Sequence, residues 1–194
     1  MAEEGGGPPE DDNDEVRDDR ELDAQARARR RVALAQIRQY PDVVLRMPAR
    51  PVERFDDDLA RLADKMAHLM RDAHGVGLAA TQVGVLQRMF VFQVAAEEEA
   101  RAIVNPEITK RSRVVEVADE GCLSLQGVLV PVERAVDVTI EGQDLEGASL
   151  RLELDEMDAR VVQHELDHLD GVLILERTTD EARRGALATL RQTL

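Results

Sequence analysis

The spacing of apolar residues predicts an amphipathic helix in the first half of the chain. Over residues 56–73, apolar side chains recur at steps of three and four residues, which is the period of one helix face. The aspartates at 56–58 suit the positive end of a helix dipole. Gly75 and Gly77 follow and are expected to end the helix.

Alternation of apolar and polar residues predicts short strands in the middle of the chain, because successive side chains of a strand point to opposite faces. The expected strands are residues 89–94, 102–104, 113–117, 136–141 and 150–154. Segments rich in glycine, asparagine and proline separate them and are typical of turns.

A second helix is predicted over residues 155–170. On it Met157, Val161, His164 and His168 follow one another at spacings of four, three and four. We therefore expect the two histidines to continue a buried stripe. Helix, strands and helix in this order predict a single α+β domain, with antiparallel or mixed sheets packed on the C-terminal helix.

Acidic residues are concentrated at the N-terminus. The chain has 194 residues and a net charge of -15, and residues 1–23 hold eleven acids against two arginines. This segment has almost no apolar side chains, so burial cannot offset the entropy of ordering it. We expect a disordered tail over residues 1–31 and a folded domain over residues 32–194.

Composition also restricts the compartment and the partners. No apolar stretch reaches the length of a membrane span, and the N-terminus lacks the basic start and apolar run of a signal peptide. A single cysteine precludes an intrachain disulfide and fits a reducing compartment. The arginines of residues 27–31 have no aromatic residues among them, and the chain is acidic. We expect a cytoplasmic protein that binds neither membranes nor nucleic acids.

The pentapeptide His-Glu-Leu-Asp-His at residues 164–168 indicates metal chemistry. Its two histidines lie about one helical turn apart on one face, so both imidazoles can reach a single ion. Glu165 can stand beside that ion and move a proton. A catalytic metal needs a third protein ligand and an open position for water, and Cys122 is the obvious thiolate. This pattern indicates a metallohydrolase without saying which one.

Three blocks of sequence together resemble the peptide deformylase family. They are Gly-Val-Gly-Leu-Ala-Ala-Thr-Gln at 75–82, Glu-Gly-Cys-Leu-Ser at 120–124 and Gln-His-Glu-Leu-Asp-His-Leu at 163–169. The resemblance extends over residues 36–177. It implies a bacterial enzyme that hydrolyses the formyl group from the N-terminal formylmethionine of nascent polypeptides and releases formate.

The resemblance also implies a role for each matching position. One divalent metal ion would be held by Cys122, His164 and His168. Fe²⁺ is the ion expected in the cell, and Zn²⁺, Ni²⁺ or Co²⁺ can replace it. Glu165 would carry the proton, and the oxyanion would be stabilised by the metal, the Gln82 amide and the Leu123 backbone N–H. Substrate contacts would come from Val76, Gly77, Gly121, Leu125 and Val161.

The partners implied by the resemblance are N-formylmethionyl peptides and nascent chains, with the ribosome as a candidate, and the protein is expected to be a monomer. Two alternatives stay open. A zincin-like peptidase would take a third ligand downstream, where Glu176 is the only suitable residue. A metal-binding relative would capture N-termini without turning them over. Gln126 and Leu129 stand where the family usually has proline and arginine, which puts substrate contacts along this edge in question.

Overall fold

The computed structural model of the chain describes residues 12–95 and 99–193. Its helices are α1 (Asp12–Leu34), α2 (Asp57–Asp72), α3 (Glu156–Leu169) and α4 (Asp180–Thr193). Its strands are β1 (Gly77–Ala79), β2 (Met89–Phe92), β3 (Arg101–Arg111), β4 (Val115–Cys122), β5 (Leu125–Ala135), β6 (Asp137–Gln143) and β7 (Ser149–Asp155). Short 3₁₀ turns cover Val43–Arg46, Ala80–Val83 and Ile174–Glu176.

Helix α2 confirms the prediction from apolar spacing. The Asp56 side chain caps it by accepting from the backbone N–H groups of Asp58 at 3.1 Å and Leu59 at 3.2 Å. Its buried face consists of Leu59, Ala63, Met66, Leu69 and Met70. This face packs with α1 and with the first two strands, which places the segment after α2 at the edge of the sheet.

The strands form two antiparallel sheets. The larger has the order β1-β2-β3-β6-β7, and β4 pairs with β5 in a separate hairpin. Strands β2, β6 and β7 match predicted segments, and β3 extends well beyond residues 102–104. The expected strand at 113–117 continues to Cys122 as β4. Of the two predicted sheet types, the antiparallel one is therefore found between the named strands.

Helix α3 packs its apolar face on the larger sheet, as the α+β prediction requires. Its core side chains are Ala159, Val161, Val162, Leu166 and Leu169, which meet the inward face of β2, β3 and β6. Met157 was expected on this stripe, and that expectation is wrong, because its side chain is 53% exposed. Among residues of α3, the packed core begins only at Ala159, and the first turn lies outside it.

The N-terminal segment contains a helix. Helix α1 covers Asp12–Leu34, residues 1–11 lie outside the described part, and the disordered tail over residues 1–31 stays a prediction. Alanine and arginine are strong helix formers, so this segment can be helical without burying apolar surface. Its last turn docks on the domain: Ala33 is buried, and Arg30 Nε donates to the Ala73 carbonyl at 3.3 Å. The boundary at residue 32 stays a prediction.

Helix α4 was not predicted. Its Ala186 and Leu190 are buried against the inner side of β5, in a core cluster that also contains Leu125 and Val130. The helix covers the hairpin that carries the cysteine. None of the helices within the described ranges combines the length and apolar character needed to span a bilayer.

Candidate metal centre

The structure brings together the three residues that the sequence proposes as metal ligands. Cys122 ends β4, while His164 and His168 lie one turn apart on α3. One ligand atom from each residue lies within 4.8 Å of the other two, and Cys122 Sγ is 3.2 Å from His168 Nε2. The hairpin and the helix therefore present a thiol and two imidazoles to one point.

This arrangement fits a single divalent ion. Tetrahedral bonds of about 2.1 Å to nitrogen and 2.3 Å to sulfur separate the ligand atoms by roughly 3.5 Å, close to the 3.2 Å between Cys122 Sγ and His168 Nε2. The imidazole rings of His164 and His168 meet edge to face, with centroids 4.9 Å apart. Sulfur with imidazole nitrogen is a donor set that suits Zn²⁺ and Fe²⁺ better than Mg²⁺ or Ca²⁺. Three protein ligands leave one position open, as a catalytic site requires.

The electrostatics of His168 favour the neutral imidazole that a metal ligand needs. Burial lowers its pKa well below the ordinary value, and the nearby charges of His164 and Arg134 lower it further. Its backbone is held by the Thr81 hydroxyl, which donates to the His168 carbonyl at 3.2 Å. Nδ1 is buried and has no hydrogen-bond partner among the described residues.

His164 is oriented by a carboxylate on β4. Its Nδ1 lies 3.0 Å from Oε2 of Glu120, an arrangement that puts a proton on Nδ1 and leaves Nε2 to face the centre. Burial alone would raise the pKa of Glu120, but hydrogen bonds from His164 and Arg134 outweigh it and lower that pKa to about 2. Glu120 is therefore an anion that fixes the ring of His164.

A buried ion network supports this carboxylate. Arg134 donates to both oxygens of Glu120 at 2.9 Å and to Asp167 at 2.5 Å. Arg177 contributes two further bonds to Asp167, at 3.0 and 2.6 Å. Asp167 is only 8% exposed, and Arg134 and Arg177 both pair with it. The network ties α3 to β4 and β5.

Sequence reasoning missed Glu120, Arg134 and Asp167 as parts of the centre. One signal was present for Arg134. It follows Val128, Val130 and Val132 at alternate positions of β5, so it continues the inward-facing register of an otherwise apolar strand face. An arginine at such a position must have buried partners, because an isolated buried charge is very costly.

Glu165 lies on α3 next to the first histidine and is almost completely buried. Its Oε1 lies against the backbone of Gly77, and its Oε2 has no hydrogen-bond partner within the described part of the chain. Burial raises the pKa of Glu165 to about 7. A carboxylate poised in this way can take up and release a proton near neutral pH.

Gln82 closes another side of the centre. Its Oε1 accepts from the Ala79 N–H at 2.9 Å, which directs the Nε2 group toward the hairpin. There Nε2 donates to Ser124 Oγ at 3.1 Å and lies 3.7 Å from Cys122 Sγ. Gln82 is therefore a buried amide donor beside the thiol, and Leu123 occupies the turn that directly follows Cys122.

The expected substrate contacts divide into two groups. Val76 is 44% exposed and Gly121 is also exposed, so both lie at the surface beside the centre. Gly77 is buried against Glu165. Leu125 and Val161 are also buried, each in a core cluster.

The contacts of Glu176 disfavour the peptidase alternative. Its carboxylate accepts from the Leu173 N–H at 2.9 Å and pairs with Arg46 at 2.8 Å. Among the described residues, the grouping of possible ligands contains the cysteine and two histidines without Glu176. A downstream third ligand is therefore not available at this position.

Comparisons with known proteins agree on one family. The family profile described as polypeptide deformylase matches residues 34–184. The peptide deformylase of Desulforudis audaxviator is 42% identical over 153 residues, spanning 79% of this chain and 99% of that protein. That of Thermotoga maritima is 43% identical over 147 residues, spanning 76% and 88%.

Solved structures show the same likeness. A crystal structure of a peptide deformylase from Legionella pneumophila has a TM-score of 0.77 and 37% identity, covering 81% of this chain and 93% of that one. A peptide deformylase from Plasmodium falciparum has a TM-score of 0.77 and 35% identity, covering 80% and 93%. The similarity extends over most of the described fold.

Proposed function

This chain belongs to the peptide deformylase family, and from this premise we propose that Cys122, His164 and His168 hold its catalytic divalent metal ion. The family consists of metal-dependent hydrolases that remove the formyl group from the N-terminal formylmethionine of nascent polypeptides, and this chain is such an enzyme. The observation that carries the proposal is the convergence of a thiol and two imidazoles beside a buried carboxylate with a free oxygen.

Glu165 is the proton carrier in this proposal. A bound divalent ion supplies Lewis acidity and makes a water molecule acidic enough to ionise near neutral pH. Glu165 accepts the proton of the water as its oxygen attacks the formyl carbon, and then donates that proton to the leaving amine. Its position beside the centre and its oxygen without a hydrogen-bond partner among the described residues suit both directions of transfer. Formate and a free N-terminus are the products.

Gln82 and Leu123 stabilise the negative charge that develops on the formyl oxygen. The Gln82 amide is already oriented by Ala79, so its Nε2 needs little reorganisation to donate to that oxygen. The second donor is the backbone N–H of Leu123, which directly follows the cysteine. Preorganised donors of this kind contribute about 3 kcal/mol each to catalysis.

The formylated peptide lies extended between Val76–Gly77 and Gly121. In the described residues, β4 pairs with β5 on one side, which leaves its other edge for a substrate strand. Gly77 leaves space beside Glu165 that any side chain would fill. Val76 and Val161 line the pocket for the methionine side chain.

Fe²⁺ is the ion we propose for the cell, with Zn²⁺, Ni²⁺ or Co²⁺ as substitutes, because sulfur and imidazole ligands accept all four. Nascent chains are made in the cytoplasm, which is where we place this bacterial enzyme, as a monomer. The ribosome is a candidate partner.

Formate release tests the proposal. Protein purified without oxygen and loaded with iron is incubated with formyl-Met-Ala-Ser, and formate, free amine and total metal are measured on one sample. We expect one formate per free amine, about one metal ion per chain, and loss of activity on chelation. Acetyl-Met-Ala-Ser serves as the matched control. One metal ion per chain without formate would favour the binding-only relative, and cleavage within the peptide would favour a peptidase.

A further inference from the structure

Two glutamines outside the proposed reaction begin a chain of hydrogen bonds that reaches the sulfur of Cys122. Gln126 Nε2 donates to Gln39 Oε1 at 3.0 Å. Gln39 Nε2 donates to the Leu123 carbonyl at 3.0 Å. The Ser124 N–H donates to Cys122 Sγ at 3.4 Å. Since the Leu123 carbonyl and the Ser124 N–H belong to one peptide group, the chain is continuous.

We infer that Gln39 is a positioning residue for the Cys122 sulfur, acting through the Leu123–Ser124 peptide group. A donor to a carbonyl polarises the whole peptide group and makes its N–H a stronger donor. Hydrogen bonds to a ligating sulfur adjust the electron density that it gives to a metal. The inference rests on the proposed function, because it takes Cys122 as a metal ligand.

The backbone around Gln39 holds the same loop. Gln39 Nε2 also donates to the Ile37 carbonyl at 3.1 Å, which fixes the orientation of its amide. The Tyr40 N–H donates to the Ser124 carbonyl at 2.9 Å. Two consecutive carbonyls of the loop, those of Leu123 and Ser124, are therefore held by the segment that follows α1.

The same segment is joined to the other side of the centre. The Arg38 N–H donates to the Gln82 carbonyl at 2.7 Å, one residue before Gln39. The Gln82 amide in turn donates to Ser124 Oγ at 3.1 Å. Gln39 thus lies in a short segment that bonds to the Gln82 backbone and to the loop carrying the sulfur. Its own side chain is the part directed at that loop.

Gln126 adds a surface-exposed end to the chain of bonds. Its amide orients the Gln39 acceptor, and it is one of the positions where this sequence departs from the family pattern. A proline there would have no side-chain donor. Loss of Gln126 should therefore weaken the effect of Gln39 without abolishing it.

Cobalt spectroscopy tests the inference independently of activity. The Co²⁺ form of each protein is prepared, its sulfur-to-cobalt charge-transfer band is recorded in the near ultraviolet, and Co²⁺ affinity is measured by chelator competition. The first variant, Gln39→Leu, removes the side-chain amide altogether. The second, Gln39→Glu, keeps an oxygen that can accept from Gln126 but has no N–H group to donate to the Leu123 carbonyl. Gln126→Ala removes the outer bond alone. Gln143→Leu is the matched control. Gln143 is a half-buried glutamine at the end of β6, outside the centre, whose side chain likewise accepts one amide donor, from Asn105 at 2.9 Å, and donates to one carbonyl, that of Gly147 at 3.2 Å.

Both Gln39 variants should move the band to longer wavelength, because a sulfur with a weaker N–H donor gives up its electrons more easily. Their Co²⁺ affinity should nevertheless fall by about tenfold, because the loop that positions the sulfur loses a restraint; this is the lower end of the effect of removing an outer partner of a metal ligand. Gln126→Ala should cause a smaller shift of the same sign, and Gln143→Leu none.

An unchanged band in both Gln39 variants would overturn the inference and leave the proposed function standing. If Gln39→Leu failed to fold, Gln39→Glu and Gln126→Ala would decide the question in the same way. A parent protein that binds Co²⁺ without any sulfur band would instead contradict the ligand set itself, and the inference would fall with it.

Discussion

The carboxylate of Glu165 lies against the backbone of Gly77, so closely that a Cβ atom at residue 77 would overlap with Oε1. The contact joins the strand edge where we propose that the peptide lies to the residue that we propose as the proton carrier. It explains why the chain has glycine here: φ at Gly77 is not in the left-handed region, so space rather than backbone conformation requires it.

Gly77→Ala should therefore displace Glu165 and lower kcat for formate release by about 100-fold, the cost of misplacing a catalytic group by an ångström. Metal content should stay at one ion per chain, because no ligand is touched. Gly185→Ala is the control, since a Cβ atom there meets nothing within 4 Å on the exposed face of α4. Equal kcat in the two variants would show that the contact with Gly77 does not position Glu165.

Cys122→Ser should weaken binding of a borderline metal such as Zn²⁺ or Fe²⁺, because a hard hydroxyl oxygen replaces a thiolate. The expected loss of affinity is at least about tenfold by chelator competition. Unchanged affinity would remove Cys122 from the ligand set.

The pKa of Glu165 predicts how the stability of the metal-free protein depends on pH. A carboxyl whose pKa rises on folding from 4.5 to about 7 binds more protons in the native state than in the unfolded state between those values. Native stability therefore falls as pH rises through this window, and a neutral side chain avoids the loss. Glu165→Gln should be more stable than the parent by about 3 kcal/mol at pH 8.

Urea unfolding of both proteins at pH 4, 6 and 8 measures this difference. The difference in unfolding free energy between the two proteins should be small at pH 4 and grow toward pH 8. A gap of equal size at all three pH values would mean that the carboxyl of Glu165 does not titrate as burial requires.

Arg134→Met should destabilise the metal-free protein by about 3–5 kcal/mol, because it leaves two buried carboxylates short of a partner. Arg134 is 6% exposed and bonds to both Glu120 and Asp167. Arg151→Met is the control: Arg151 pairs with Glu141 and Glu153 at the surface and should show no measurable change. Similar unfolding midpoints for the two variants would contradict a stabilising role for the buried network.

The spacing of apolar residues predicted those helices and strands whose buried faces follow that spacing. The three- and four-residue spacing gave α2 and α3, and alternation gave β2, β6 and β7. Strand β5 was missed because Gly127 and Pro131 interrupt its alternation, although the rest of its inner face is apolar. Charge composition carries no signal for α1, because it measures the capacity for apolar burial and not intrinsic helix propensity.

The candidate site also contains residues that the sequence predicts and residues that only the fold reveals. The proposed ligands and Glu165 stand in short motifs, so the sequence alone brought them to attention. The partners of Asp167 could not be predicted, since Arg134 is 33 residues away and lies on a strand that was not foreseen. Gln39 is 84 residues from Leu123 and belongs to no motif, so only the fold reveals that it contacts this loop.

Metal content and formate release, measured on one sample of Glu165→Ala, show whether Glu165 moves the proton. We expect about one metal ion per chain, as in the parent, with formate release from formyl-Met-Ala-Ser reduced by about 10²–10⁴-fold because the proton carrier is gone. Near-full turnover by a variant that retains its metal would contradict the claim that Glu165 moves the proton at a centre formed by Cys122, His164 and His168.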